Sequence, residues 1–114
     1  MAAEFIRLNG GLWGELDRIG RWWDRNEEIC IVGLNENKNI ILFGEVKWSK
    51  NPVGSEVLRQ LKEKARKVLW GNSKTEKRFV IFSLKGFTEE LIRQAREERV
   101  ILVREDKIIA GRTN

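Results

Sequence analysis

Apolar residues recur along the chain in two periods, and the change from one to the other divides the sequence into elements. Residues 19–24 carry Trp22 and Trp23, whose rings suit a pleated surface. Residues 28–34 read E-I-C-I-V-G-L and residues 39–48 read N-I-I-L-F-G-E-V-K-W, both rich in β-branched side chains. The polar stretch 35–39 between them predicts a turn, so these two runs form an antiparallel hairpin. Asn51, Pro52 and Gly54 then end the third strand. Val57, Leu58, Leu61, Ala65, Val68 and Leu69 recur at helical spacing, with Ser55 as N-cap and Gly71 closing the helix. Residues 79–84, F-V-I-F-S-L, are almost continuously apolar, the pattern of a strand covered on both faces. Thr88 is suited to cap a helix that begins with Glu89 and Glu90 and runs to about Glu98. Phe87 and Ile92 hold the two positions of a hydrophobic staple. Residues 100–103, V-I-L-V, form a further buried strand, and residues 107–110 a short edge strand after a turn at Glu105-Asp106.

Ahead of these lies a helix-permissive segment, 2–8, which Gly10, Gly11 and Gly14 interrupt. It reads as the shortened end of a first helix. The expected order is therefore (α)βββαβαβ. This is a single α/β domain over 1–114, with a mixed β-sheet flanked by helices and parallel pairing across the strand–helix–strand units. No run approaches the ~18 apolar residues of a spanning helix, and the N-terminus has no signal-peptide pattern. A cytoplasmic protein with no membrane association is the expectation.

Composition removes several chemistries. The 114 residues contain no His and no Tyr, which excludes a histidine base, a Ser–His pair and a His-ligated metal. The one cysteine, Cys30, has no second thiol for a disulfide or a zinc cluster. No phosphate-cradling G-x-x-x-x-G-K-[ST] motif occurs. Catalysis would have to use carboxylate, Lys and Arg. Lys and Arg number 22 against 17 Asp and Glu, a net charge of +5, so a polyanionic partner such as DNA is one expectation and simple solubility the other. Arg21, Lys50, Arg59, Lys62 and Arg66 are the candidate phosphate contacts, although a run of cations on a helix is also how a solvated face looks. Abundant Lys, Arg and Glu with little Gln, Cys or Met is a bias common in proteins from hot environments.

The candidate chemistry lies in Glu45-Val46-Lys47-Trp48 at the end of the third strand. Period-two alternation places Glu45 and Lys47 on one face, and Glu28 and Cys30 on one face of the neighbouring strand. A cross-strand ion pair would explain the charges. So would a phosphodiester site, in which carboxylates from adjacent strands hold a hard divalent ion and a lysine stabilises developing negative charge.

The strand order, with E-x-K ending the third strand, resembles the PD-(D/E)XK, restriction-endonuclease-like superfamily. The runs G-R-W-W-D at 20–24, E-E-I-C-I-V at 27–32, G-E-V-K-W at 44–48 and F-S-L-K-G-F-T-E-E-L at 82–91 look, more narrowly, like the C-terminal domain of archaeal AAA-type ATPases. The resemblance implies a restriction-endonuclease-like core, Glu45 and Lys47 as catalytic residues, Glu45 as a Mg²⁺ or Mn²⁺ ligand, and an ATPase module as partner in longer relatives. The helical glutamate of related resolvases has a loose counterpart in Glu4.

Cys30 departs from that pattern, which has an aspartate at its position. A thiol ligates Mg²⁺ poorly and, with an ordinary pKa of about 8.5, is mostly uncharged at neutral pH. Glu28, about 6.6 Å along the strand, is the possible substitute ligand. Cys30 as a nucleophile lacks an activating His. The expectation is a nuclease-like, DNA-binding domain with catalysis weak or lost. The alternatives are a protein-interaction or regulatory module of an archaeal ATPase, and an active Mg²⁺-dependent DNA nuclease. Homodimerisation through a sheet edge is a further possibility. For Trp22, Trp23 and Trp48, core or interface packing is expected ahead of base stacking.

Overall fold

The computed structural model describes residues 18–24, 27–48, 50–68, 70–105 and 107–110, with side chains described except at 18, 19, 21–30, 107, 108 and 110. The expected first helix and Glu4 fall outside this set. Among the described residues the order is β1 (Arg18–Asp24), β2 (Glu27–Asn35), β3 (Ile40–Lys47), α1 (Ser55–Ala65), β4 (Glu76–Ser83), α2 (Glu89–Glu98), β5 (Ile101–Arg104) and β6 (Lys107–Ala110). This is the predicted βββαβαβ order, followed by the short edge strand expected at 107–110 as a sixth strand. The strands form one mixed sheet whose spatial order equals chain order, β1-β2-β3-β4-β5-β6. The pairs β1–β2, β2–β3 and β5–β6 are antiparallel, while β3–β4 and β4–β5, each joined through a helix, are parallel.

The β2–β3 hairpin closes as its polar residues predict. Asn35 Oδ1 accepts from Lys38 N at 2.9 Å, and Asn39 takes a left-handed φ of 57°, a region that asparagine tolerates. One face of the sheet packs on both helices. Ile41 and Phe43 of β3, Ile81 of β4 and Leu102 of β5 meet Leu58, Leu61 and Ala65 of α1 and Leu91 and Ala95 of α2. The other face is buried as completely, through Leu42, Val80, Phe82, Ile101 and Val103. The central strands are therefore apolar on both faces, and their sequences run almost without polar interruption.

Three local expectations are corrected. Gly54 rather than Ser55 is the N-cap of α1, with no side-chain cap bond, and Ser55 is the first helical residue. The helix stops at Ala65, short of Val68 and Gly71. The chain closes through i→i−3 bonds, Lys67 N to Lys64 O and Val68 N to Ala65 O, and lets Val68 and Trp70 pack on the core from outside the helix. Gly71, at φ 87°, instead serves the turn into β4. That strand begins at Glu76, three residues before the apolar run. Its exposed first residues are held by the ladder to Ile40–Leu42 rather than by burial. Thr88 caps α2 as expected, its Oγ1 accepting from Leu91 N at 3.2 Å.

Candidate active site at the division of the sheet

Glu45 and Lys47 stand at the carboxyl end of β3, on the face that Ile41 and Phe43 turn toward the helices. Gly44 brings the chain there. A Cβ at Gly44 would lie 3.0 Å from Ile31 Cβ and 3.1 Å from Val80 Cγ1, so any side chain here would require β2 and β4 to give by a few tenths of an ångström. Past Gly44 the sheet divides. Among the described residues the β2–β3 ladder ends with Ile31 opposite Gly44, while β3 continues beside β4 through Glu45–Ile81, Val46–Phe82 and Lys47–Ser83. β2 continues beside β1 through Trp22–Ile29 and Trp23–Glu28. Cys30 thus adjoins the last β2 position paired with β3, and Glu45 adjoins the last β3 position paired with β2.

A β-bulge lies at the same level. Between Gly20–Val32 and Trp22–Ile29, Arg21 faces two residues of β2, Cys30 and Ile31. The strict alternation that would put Glu28, Cys30 and Val32 on one face is interrupted there. Bulges carry no compositional signature, and nothing in E-I-C-I-V announces this one.

Glu45 is 6% exposed although it carries a carboxylate. Its Oε1 lies 3.6 Å from Lys47 Nζ, and its Oε2 is buried with no hydrogen-bond partner among the described residues. Such an oxygen costs about 1–3 kcal/mol, so its presence calls for a reason. The Lys47 side chain is 41% exposed. Around the pair, the loops that follow β3 and β4 are tied together. Val53 N donates to Gly86 O and Thr88 N to Val53 O, each at 2.9 Å, which brings the start of α1 against the start of α2. Ser83, opposite Lys47, is buried and donates from Oγ to Gly86 O at 2.8 Å. Carboxyl ends of parallel strands beside helix starts are the usual location of ligand sites in open α/β sheets.

The predicted residues do not gather in one place. Lys50 is exposed in the loop just past Lys47. Arg59 and Arg66 are exposed on and just past α1, whereas Lys62 of the same helix is paired with Glu98 of α2. Arg21, Glu28 and Cys30 have strand backbone positions only. Trp48 is 52% exposed and so is not a core residue. Sequence reasoning missed Lys85 and Arg104, both exposed, which follow β4 and end β5 at this same edge. The available signal was a cation at, or within two residues of, the end of each buried parallel strand.

As a metal centre the donor set is incomplete. Glu45 Oε2 is one hard donor without a hydrogen-bond partner among the described residues, and no group of three or more Cys, Asp or Glu among the described residues stands where it could hold an ion. The described residues do not by themselves fit the two-carboxylate Mg²⁺ site of a phosphodiesterase.

Fold and site together define a mixed α/β domain with a buried acid beside a half-exposed lysine where its sheet divides. A model of DUF234, a family of archaeal and bacterial proteins of unknown function, matches residues 2–69, more than half of the chain, and the chain belongs to that family. It is also similar to an uncharacterized protein of Methanocaldococcus jannaschii, 40% identical over 75 residues. That alignment covers 64% of this chain and only 17% of the longer relative. No solved structure gives a significant match. No helix among the described residues is long and apolar enough to cross a membrane.

Proposed function

We propose that this chain is a nucleic-acid-binding domain of restriction-endonuclease-like type, with hydrolytic activity weak or absent because Cys30 occupies the position of a metal-binding aspartate. One observation supports this above the others: the buried Glu45 carboxylate, with one oxygen unpartnered among the described residues, beside Lys47 at the point where β2 and β3 separate. A purely structural ion pair would satisfy both carboxylate oxygens or leave the acid in solvent. A site descended from metal-dependent chemistry keeps an oxygen free. In the longer relatives, the proposal makes this domain the DNA-contacting part of a larger ATPase-bearing protein.

The test is Cys30→Asp beside the parent chain. Mg²⁺ and Mn²⁺ binding is followed by calorimetry, and cleavage is followed on linear and branched DNA. The parent is expected to bind divalent ions weakly and to cleave little, and Cys30→Asp to gain both properties. Robust cleavage by the parent, abolished in Glu45→Ala, would restore the active-nuclease reading. DNA affinity should fall linearly in log K against log salt, by about 0.9 per duplex phosphate neutralised. Absence of DNA binding at low salt would leave a protein-interaction module instead.

A further inference from the structure

Among the described residues, three large hydrophobic side chains are exposed: Trp48, Leu84 and Ile109. Two of the three fall at one place. Lys47 pairs with Ser83 at the end of the β3–β4 ladder, and Trp48 and Leu84 are the next residues on the two chains. Trp48, at 52%, is the more exposed of the two.

Cations lie close to this apolar pair along the chain and across the ladder. Lys47 precedes Trp48, Lys50 follows it, and Lys85 follows Leu84. Arg104, opposite Ser83 on β5, comes in from the far side. A Cβ on Gly86 would lie 3.5 Å from Arg104 Cδ, so the arginine stem passes beside the β4–α2 loop. With strands about 4.8 Å apart, the Cα atoms of Lys47 and Arg104 flank Ser83 at a separation of about 10 Å. The nearby acids are Glu45, which faces Lys47, and Glu105, whose backbone N–H donates to Ser83 O.

An indole projecting from a row of cations suits a ligand that is both anionic along its length and flat at intervals. A folded acidic protein would meet the cations but leave the ring to chance contact. A DNA duplex would meet the cations but keep its base faces stacked inside. A strand with unpaired bases offers phosphates to the cations and a free π-face to the ring.

We infer that Trp48 is a stacking platform for an unpaired base, and that the edge formed by Lys47, Lys50, Lys85 and Arg104 carries the backbone of single-stranded nucleic acid, or of a single-stranded segment within a larger one. This rests on the nucleic-acid reading above and narrows it to a class of substrate.

The experiment compares a labelled oligothymidylate with a duplex of equal length, each titrated with the parent, Trp48→Ala, Trp48→Phe and Trp48→Leu at several salt concentrations. Trp48→Ala is expected to weaken single-strand binding about tenfold, with the salt slope unchanged and duplex binding moved less than twofold. Trp48→Phe should recover most of the loss, whereas Trp48→Leu, apolar but without a π-face, should not. Lys50→Ala and Arg104→Ala should each lower the single-strand slope by about 0.7. Thermal melts of the four proteins should coincide, because the ring is exposed.

Equal weakening of both polymers, or none, with salt-dependent binding intact, overturns the platform and leaves the nucleic-acid reading standing. Binding of neither polymer at low salt overturns both. A changed oligomeric state of Trp48→Ala in light scattering, with oligonucleotide affinity unaltered, assigns the ring to a protein interface and overturns the platform.

Discussion

The most informative residue is Glu45, because it is placed against its own stability. A carboxylate 6% exposed, with one oxygen unpartnered among the described residues and its cation 3.6 Å away on a half-exposed side chain, is a cost the fold bears. Glu45→Met replaces the acid with an unbranched apolar side chain that adapts to the space. It is expected to stabilise the protein by about 1 kcal/mol, roughly 4 °C in the unfolding midpoint, read by circular dichroism melts. An equal loss would mean that the carboxylate is a structural anchor rather than a site retained for function. Glu45 and Lys47 were legible in the sequence, because two charges closing an apolar strand break its pattern. The position of Cys30 was legible only in part. Alternation predicts faces for an unbroken strand, and the bulge opposite Arg21 interrupts alternation where the prediction depends on it. Lys85 and Arg104 were not read, because each is local to a different strand and only the parallel register sets them on one edge.

At the level of elements, the strands and α2 are those whose sequence and burial agree. Apolar runs in β3, β4 and β5 mark strands buried on both faces, and Thr88 supplies the cap bond its position predicts. Agreement fails at the ends. Val68 continues the helical period of α1 but packs on the core from outside the helix, so burial period and backbone state separate there. β4 starts in polar residues because a neighbouring strand offers hydrogen bonds, which no composition window registers. Gly44 shows a tight steric requirement within the sheet. Gly44→Val would drive a branched side chain into Ile31 and Val80, and is expected to cost about 1–3 kcal/mol by denaturant titration. It should also force β2 from β3 and displace Glu45. Unchanged stability would mean that the two strands close less tightly than the 3.0 Å approach implies.

For the whole molecule, stability is concentrated in the middle of the sheet. Leu42, Phe43, Val80, Ile81, Leu102 and Val103 are each at most 1% exposed, and the strands that carry them are joined by uninterrupted parallel ladders. The antiparallel margin at β6 is four residues long, and its ladder to β5 is irregular. Native-state hydrogen exchange should find its slowest amides at 41–43, 80–82 and 102–103, opening only with global unfolding, and faster exchange in β6. Slowest exchange in α1 or α2 would instead put the stable unit in the helices. The same distribution suits a site at the carboxyl edge. The strands beneath Lys47, Ser83 and Arg104 are the rigid part, and the loops above them are joined by the Val53–Phe87 bridge.

The strands lie side by side in the order in which the polypeptide is made. No later segment has to be inserted between two that have already joined. As the chain leaves the ribosome, each newly emerged strand can dock on the one just before it, so the sheet grows by accretion at a single advancing margin. On this route Lys47 and Trp48 are in place early, but the carboxyl edge that they share with Ser83 is complete only when Arg104 arrives.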